Sequence, residues 1–253
     1  MRSNFFIRLL GFPATLIQGD TLVLDRWRWL RRHFIKRNDG EINVLDVGCG
    51  TGAFSIGLSL RGYKTLGLTW DEYDTIYARA RAKICKADNC SFEIQDARKL
   101  DQRTDLFNRF DYIVCTENIE HILNDQKLIN DFYHCLKAGG KLFLTTPNIN
   151  FISITSEDDA PLQTEELGWH VRRGYSIGML DALCRTAGLT VERIDFVSGF
   201  FSQKVTMIWR TLNKVNVFLS LIVTLPLRVL PIIFDDYIKY PGYSITLIAE
   251  KRS

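Results

Sequence analysis

The segment LDVGCGTGAF, residues 45–54, constrains the fold of this 253-residue chain more than any other stretch. An apolar run ends there in an acidic residue, and Gly48, Gly50 and Gly52 follow at alternate positions. A glycine turn between a strand and a helix lets a ligand approach the backbone in open α/β sheets. Gly48, Gly50 and Ala53 also fit the G-x-G-x-x-A dinucleotide pattern, so the spacing alone does not identify the ligand. The sequence lacks G-x-x-x-x-G-K-[ST], which excludes the phosphate loop of nucleotide triphosphatases.

Apolar strand patterns alternate with amphipathic helix patterns along most of the chain. The predicted strands cover residues 41–47, 64–69, 91–95, 110–116, 140–147, 189–197 and 243–252, and the predicted helices cover 21–37, 51–60, 71–87, 125–137 and 176–187. We expect Gly139 and Gly140 to end the helix before the fifth strand. This alternation predicts an α/β fold with a mostly parallel sheet and helices on both faces.

Three positions at the predicted strand ends favour a ligand other than a dinucleotide. Asp46 lies two residues before the first glycine, where its carboxylate suits a ligand ammonium better than a pyrophosphate. Thr69 closes the second strand, where the NAD pattern prefers an acidic residue. Asp96 follows the third strand, at the height expected for an adenine amino group.

With these features the sequence resembles the class I S-adenosylmethionine-dependent methyltransferases, closely over residues 41–147 and more loosely over the last two strands. The resemblance rests on VLDVGCGTG, LGLTWDE, FEIQDARKL, FDYIVCTENIEHI and LKAGGKLFLTTPN, which occur in the family order. It implies a Rossmann-like sheet of seven strands with an antiparallel last strand, and S-adenosylmethionine as the cofactor. The residues that we assign to cofactor binding on this basis are Asp46, Gly48, Cys49, Gly50, Gly52, Thr69, Trp70, Asp96, Ala97 and Glu117.

One position departs from the family pattern. The family usually has an acidic residue at the end of the second strand, where it grips the ribose hydroxyls, and Thr69 stands there instead. Two interpretations are open. In the first, the residues after Thr69 contact the cofactor: Asp71 replaces the missing carboxylate, or Trp70 packs on the adenine. In the second, Asp71 only caps the next helix.

The motif ENIEH follows the fourth predicted strand, at the carboxyl edge where open α/β folds bind ligands. If a helix starts here, Glu117, Glu120 and His121 share one face, and His170 in the irregular segment 148–174 is a fourth candidate. The pattern is similar to that of metal-dependent O-methyltransferases of the ubiquinone pathway and of small RNAs. The resemblance implies a divalent metal held by Glu117, Glu120, His121 and His170, with Glu117, His121 and His170 as catalytic residues.

Three roles for this motif stay open. Mg²⁺ prefers oxygen ligands, and two of the four candidate ligands are imidazoles. Mn²⁺ and Zn²⁺ are therefore also candidates for the metal. A bound cation would lower the pKa of an acceptor hydroxyl and orient it for in-line methyl transfer. Alternatively, His121 acts directly as a general base, or it is a structural polar residue. Arg172 and Arg173 either clamp an anionic substrate or pair with acidic residues at 156–159 or 165–166.

The most apolar segment of the chain, Val217 to Phe234, lies in a region that we predict to be separate from the methyltransferase domain. We predict an N-terminal helical cap over 1–40, a methyltransferase domain over 41–199 and 241–253, and an apolar helical insertion over 200–240, carried by the C-terminal antiparallel hairpin. Pro226, Arg228 and Pro231 interrupt the segment, so a membrane-spanning helix is not expected. Two interpretations remain: peripheral contact with a membrane or a lipid-tail groove, or a cap buried within the protein or in a homodimer.

Composition narrows the partners and the compartment. A net charge of +3 argues against nucleic acid as the partner. Six cysteines without a C-x-x-C pair favour reduced thiols in the cytoplasm, with at most peripheral contact at the inner face of the membrane. Arg8 and Pro13 argue against a signal peptide.

These observations together predict an O-methyltransferase that acts on a hydroxyl of an amphiphilic small molecule, such as a quinone precursor, a glycolipid or a lipid-linked sugar. Two alternatives stay open at this point. One is an RNA 2′-O-methyltransferase, and the other is a non-catalytic binding or scaffold protein that keeps this fold.

Overall fold

The computed structural model describes residues 4–17, 19–37 and 41–252. Within them, seven strands form one sheet in the order β3-β2-β1-β4-β5-β7-β6. The strands are β1 Asn43–Val47, β2 Lys64–Thr69, β3 Cys90–Ile94, β4 Phe110–Thr116, β5 Leu136–Pro147, β6 Leu189–Val197 and β7 Ser244–Lys251. Only β7 runs antiparallel to its neighbours β5 and β6 among the pairs in this sheet. The prediction of a seven-stranded, mostly parallel Rossmann-like sheet is therefore confirmed.

Helices cover both faces of the sheet. They are α1 Phe5–Leu10, α2 Pro13–Ile17, α3 Thr21–His33, α4 Ala53–Ser59, α5 Glu72–Cys85, α6 Asp125–Cys135, α7 Ile177–Thr186, α8 Phe200–Asn213, α9 Val217–Leu227 and α10 Val229–Phe234. The predicted cap over 1–40 contains α1 to α3, and its positions 1–3, 18 and 38–40 lie outside the described residues.

One predicted helix end was wrong. We expected Gly139 and Gly140 to end the helix before the fifth strand, but α6 ends at Cys135 and β5 begins at Leu136. Leu136 is fully buried and pairs with Phe110 of β4, so burial draws it into the sheet ahead of the two glycines. The register between β4 and β5 then shifts before Tyr112 pairs with Lys141.

The core has two layers because successive strand residues point to opposite faces of the sheet. Leu45 and Leu142 pack in the layer beneath α6 and α7, whereas Val44 and Phe143 pack in the layer beneath α3 and α4. Both sets are apolar, as expected for strands covered by helices on both sides. Polar side chains can therefore gather mainly where the strands end.

The strand order fixes where a ligand can lie. β1 pairs with β2 on one side and with β4 on the other, so the chain reverses its direction of winding at β1 and β4. Open α/β folds bind ligands in the crevice at this switch point, outside the carboxyl ends of the strands. Val47, Thr69 and Thr116 end the three strands around it.

The helices α8, α9 and α10 form an insertion between β6 and β7, at the same edge of the sheet. A buried polar contact ties its start to the N-terminal helix α3, since Ser198 Oγ donates to Asp25 Oδ2 at 2.9 Å. Burial raises the pKa of Asp25 to about 6, although the Ser198 hydroxyl and Arg28 act in the opposite direction. The carboxylate form is therefore costly in the folded chain.

Replacing Asp25 with asparagine should remove this cost and keep an oxygen that accepts from Ser198. The pKa of Asp25 is 3.8 in the unfolded chain and about 6 in the folded chain. As pH rises through this window, the free energy of unfolding of the wild type therefore falls relative to that of Asp25→Asn. Two pKa units correspond to about 3 kcal/mol. We expect urea denaturation to show the variant gaining about 2 to 3 kcal/mol on the wild type between about pH 4 and about pH 7.5. Parallel pH profiles would contradict this account of Asp25.

Candidate active site

The glycine turn after β1 has a left-handed backbone conformation that favours glycine. Gly48, Gly50 and Gly52 have φ of +78°, +50° and +77°, in the left-handed region. The N–H groups of Gly48 and Cys49 both donate to the carbonyl of Leu68 on β2 at 2.9 Å, which fixes the turn against the sheet. The turn therefore has a defined shape before any ligand binds.

The three glycines differ in what surrounds them. A Cβ at Gly48 would lie 2.5 Å from the Asn118 side chain, and a Cβ at Gly52 would lie 2.6 Å from Phe92, so both positions are enclosed by protein. A Cβ at Gly50 would meet only Asp74, at 3.7 Å. Gly50 is thus the position where the turn presents open backbone to a ligand.

Asp46 lies beside this turn as a buried carboxyl group. Ser55 Oγ donates to Asp46 Oδ2 at 2.5 Å, and the side chain is almost completely removed from solvent. Burial raises the pKa of Asp46 to about 6, against the lowering effect of the Ser55 hydrogen bonds. A cation placed next to Asp46 would stabilise its charged form.

A small cavity of about 50 Å³ lies next to the turn, at the ends of β2 and β3. Its lining comprises Trp70, Asp96, Ala97, Arg98, Asn118, His121, Ile122, Glu166 and Gly168. Four residues that we predicted as cofactor or catalytic residues are therefore brought together here. Trp70 is 59% exposed, which leaves its ring available for stacking.

Three charged residues of this small cavity, Asp96, Arg98 and Glu166, are already paired with one another. Arg98 forms a bidentate pair with Asp96, at 2.9 and 2.7 Å, and also pairs with Glu166 Oε2 at 3.1 Å. Asp71 Oδ1 caps α5 by accepting from Asp74 N at 2.8 Å, as one of the two interpretations of Asp71 expected. Thr69 is buried, and its hydroxyl accepts from Asp71 N at 3.4 Å. The assignment of Thr69 to the cofactor stays a prediction.

Glu117 follows β4 in a left-handed conformation, with φ of +48°. Thr145 Oγ1 donates to Glu117 Oε1 at 3.0 Å, and Arg26 Nη1 lies 3.5 Å from Glu117 Oε2. Arg26 belongs to α3, so the N-terminal helix reaches the carboxyl edge of the sheet. Arg26 is not predicted from the sequence, because nothing in a helix rich in basic residues distinguishes it from its neighbours.

Three of the four predicted metal ligands converge. One ligand atom each from Glu120, His121 and His170 lie within 4.8 Å of one another, and the two imidazole rings meet edge to face with centroids 4.6 Å apart. Glu117 lies outside this cluster, with Arg26 and Thr145. The condition that a helix starts at ENIEH is not met, because Glu117 is left-handed and a short 3-10 turn, Ile119–His121, follows it.

Burial sets the protonation of the cluster. The pKa of Glu120 is raised well above its usual value by complete burial and by Glu117, although Thr146 Oγ1 donates to its Oε2 at 3.1 Å. Burial lowers the pKa of His121, and burial together with His121 lowers the pKa of His170 to about 4. Both imidazoles are therefore neutral near pH 7 and can accept a proton or bind a cation.

A second, larger cavity of about 570 Å³ lies on the other side of His170. Its walls combine apolar and charged residues: Phe151, Glu157, Asp158, Ala160, Pro161, Leu162, Gln163, Trp169, His170, Arg173, Arg210 and Tyr243. His121 lines the small cavity and His170 lines the large one, so the histidine pair stands between them.

The arginines of the irregular segment are occupied by protein groups. Arg172 pairs with Asp125 and donates to the carbonyls of Ile122 and Leu123. Arg173 pairs with Asp159 at 3.1 Å, in the acidic stretch 156–159. The interpretation that Arg173 pairs with this stretch is confirmed, and Arg172 instead holds the start of α6.

Comparison with known proteins agrees with this architecture. A family model described as a methyltransferase domain matches residues 23–194. The ubiquinone biosynthesis O-methyltransferase of Coxiella burnetii is 36% identical over 109 residues, which cover 43% of this chain and 45% of that protein. The enzyme of the same name from Pseudomonas paraeruginosa is 27% identical over 178 residues, covering 69% of this chain and 74% of its own. The chain thus spans about half the length of the first of these relatives.

A solved structure agrees at the level of the fold. The putative sarcosine dimethylglycine methyltransferase of Galdieria sulphuraria superposes with a TM-score of 0.64 at 15% identity, over 91% of this chain and 86% of that chain. The family match covers most of the chain, including the glycine turn, the small cavity and the Glu120–His121–His170 cluster. The chain therefore belongs to the methyltransferase-domain family, among the class I S-adenosylmethionine-dependent methyltransferases.

Proposed function

We propose that the protein transfers a methyl group from S-adenosylmethionine to a hydroxyl of an amphiphilic small molecule. The observation that carries this proposal is the position of the histidine pair. His121 lines the small cavity beside the glycine turn, His170 lines the large cavity, and their rings are in contact. A cofactor on one side and an acceptor on the other would meet at this pair.

The chain offers a suitable group for each part of S-adenosylmethionine. The ammonium of the methionine part would lie against the buried carboxyl group of Asp46. The Ser55 hydroxyl that donates to this group is neutral, so it does not balance the carboxylate charge, whereas the ammonium would. The open backbone at Gly50 accommodates the chain that joins methionine to ribose. The exposed ring of Trp70 supports stacking of the adenine beside Ala97.

Methyl transfer to a hydroxyl needs a proton acceptor. The acceptor oxygen forms a bond to the methyl carbon, the carbon–sulfur bond breaks, and the hydroxyl proton must leave. His170 is neutral at pH 7, because burial and His121 hold the pKa of its ring low. His121 is neutral for the same reason of burial, so either imidazole can take the proton.

The same cluster fits a divalent cation. Glu120 Oε1 and His121 Nδ1 are buried, and neither has a hydrogen-bond partner among the described residues. Their ligand atoms and one of His170 lie within 4.8 Å of one another, which a small rearrangement would bring to metal-ligand distances. One carboxylate with two imidazoles suits Zn²⁺ or Mn²⁺ better than Mg²⁺. When bound, such a cation would lower the pKa of the acceptor hydroxyl.

The large cavity supports an amphiphilic acceptor over RNA. Phe151, Leu162 and Trp169 give it apolar walls, whereas its arginines are neutralised by neighbouring carboxylates. Arg210 lies 2.8 Å from Asp158, and Arg173 pairs with Asp159. A phosphate backbone would need unpaired cations there. The names of the two ubiquinone-pathway relatives support a quinone precursor as the acceptor.

The described cysteines support a reducing compartment, which agrees with the cytoplasmic location that we propose. All six cysteines have free thiols. Cys115, Cys135 and Cys184 are buried and do not form disulfides with one another. Protein disulfides form in oxidising compartments and are rare in the cytosol.

The acceptor class can be tested by labelling. Purified protein is incubated with methyl-labelled S-adenosylmethionine and a cell extract, and label is counted in the organic, aqueous and RNA fractions. We expect label in the organic fraction, because an amphiphilic product partitions there. Label in RNA would replace this acceptor class with the RNA alternative. Failure of S-adenosylmethionine to bind in a titration would instead favour a non-catalytic protein with this fold.

Gly50→Ala tests the proposed cofactor position. Gly50 has φ of +50°, so alanine costs about 1 kcal/mol of stability there, but its methyl group would occupy the open side of the turn. We expect calorimetric titration to show S-adenosylmethionine affinity lowered at least about tenfold. Gly139→Ala is the matched control, since Gly139 also has positive φ and open space but lies in β5 away from the cavities. Equal affinity of the two variants would contradict this position.

Glu120→Gln separates the metal from the histidine base. The change keeps the side-chain shape and the bond from Thr146 but removes a ligand charge. We expect Zn²⁺ or Mn²⁺ binding and kcat each to fall about 100-fold, with S-adenosylmethionine affinity unchanged. His134→Ala, at a histidine stacked on Phe107, is the control. Full activity of the wild type in a chelator, combined with loss of activity in His170→Ala, would establish the histidine as the base instead.

A further inference from the structure

The helices α1, α9 and α10 present bulky apolar side chains to solvent. This apolar face comprises Phe5, Leu9, Leu10, Phe218, Ile222, Leu225, Val229, Ile232 and Ile233, all of them exposed. Phe6 and Phe218 are in contact, with ring centroids 5.9 Å apart, so α1 and α9 form one continuous surface. Exposed apolar surface of this extent marks an interaction site on a soluble domain.

The polarity of α9 is the reverse of that of a surface helix. Ser220 and Thr224, one turn apart, are completely buried, whereas Phe218 and Ile222 point outward and Ile222 is 72% exposed. The two hydroxyls are satisfied locally, by Val217 O at 2.7 Å and by Ser220 O at 2.6 Å. A surface helix normally buries its apolar stripe, so α9 is built to meet an apolar medium on its outer side.

The face lies along a surface rather than through a bilayer. The segment Val217–Tyr237 has the length and composition to cross a membrane, and only 22% of its 18-residue apolar window is buried within the protein. Arg228 stands in the middle of it, buried, and donates to Ile17 O at 3.0 Å and to Gly19 O at 2.7 Å. These bonds hold the segment against the N-terminal part of the chain. The segment is divided at Arg228 into α9, which contains Pro226, and α10, which contains Pro231.

Exposed cations lie on α1 and on the segments that precede and follow α9 and α10 along the chain. Arg8 stands among the apolar residues of α1, Lys204 lies on α8, and Lys239 follows α10, with Asp236 as an exposed acidic neighbour. A second copy of this chain would bring these like charges together, whereas anionic lipid headgroups would pair with them. The charge pattern therefore favours a lipid surface over self-association.

The insertion also builds a wall of the large cavity. Arg210 of α8 lines that cavity and pairs with Asp158, and Lys214, at the turn from α8 to α9, lies 2.6 Å from Glu157 on its rim. The apolar face and the mouth of the cavity thus share one helical hairpin. Contact of this face with a bilayer would bring the cavity close to the membrane surface.

We infer that the apolar face docks in the interfacial layer of a bilayer that contains anionic lipids, with α9 and α10 lying in its plane. Resting on the proposed function, the acceptor is then an amphiphile that passes from the bilayer into the large cavity beside His170. Its tail would follow α9, and its hydroxyl would reach the histidine pair.

Vesicle binding tests the docking without any methyl transfer. The full chain is sedimented with phosphatidylcholine vesicles that contain or lack phosphatidylglycerol, in the absence of S-adenosylmethionine and acceptor. We expect binding to the anionic vesicles, and Ile222→Glu combined with Ile232→Glu should weaken it at least about tenfold, because two apolar anchors become charged. Both residues are exposed, so circular dichroism should show an unchanged fold.

Ile35→Glu is the matched control. Ile35 is 76% exposed, comparable to Ile222, but it lies outside the apolar face, near Tyr63, whose hydroxyl donates to its carbonyl at 2.8 Å. The control should bind like the wild type. Equal binding by the double variant, or a wild type that stays in the supernatant, would overturn the docking. A dimer in light scattering that the double variant loses would assign the face to a second copy. Docking without label in the organic fraction would refute only the proposed acceptor.

Discussion

One backbone hydrogen bond brings the two halves of the active site together. Val171 N donates to Glu120 O at 3.1 Å, which fixes the irregular segment 148–174 against the turn after β4 and sets His170 beside His121. The carboxyl group of Glu120 is held in turn by Thr146 of β5. The site therefore depends on the register of β4 and β5. A slip of one residue would remove Thr146 from the reach of Glu120.

Burial shifts four ionisable groups of the site toward their uncharged forms. The pKa values of Asp46 and Glu120 are raised, and those of His121 and His170 are lowered. A cationic ligand reverses this balance for the two acids, since it compensates their charge. Binding of the cofactor ammonium beside Asp46, or of a metal beside Glu120, would then lower the pKa of that carboxyl group.

The fold followed from local patterns, and the site followed only in part. Apolar runs ended by glycine or acidic residues predicted the strands well, because most residues of β1, β4, β5 and β7 are buried on both faces of the sheet. His170 was a fourth candidate beside ENIEH, but it lies in a segment without periodicity, and its place beside His121 depends on contacts such as Val171 N to Glu120 O that the sequence does not reveal. The helical face assumed for Glu117 failed because its left-handed backbone is invisible in sequence. The reversed polarity of α9 was likewise hidden, because Ser220 and Thr224 are too small to break an apolar pattern.

The chain of contacts across the small cavity has a consequence for turnover. Glu166 links Arg98, and through it Asp96, to the backbone of Leu123, where Leu123 N donates to Glu166 Oε1 at 2.5 Å. The cavity beneath is about 50 Å³, room for a few water molecules and too little for a nucleoside. If S-adenosylmethionine occupies this cavity as proposed, the segment that carries Glu166 would have to swing outward each time the cofactor is exchanged for its demethylated product. The ion pair between Arg98 and Glu166 is partly exposed, so salt screens it. Ionic strength would therefore affect the rate at which the product dissociates.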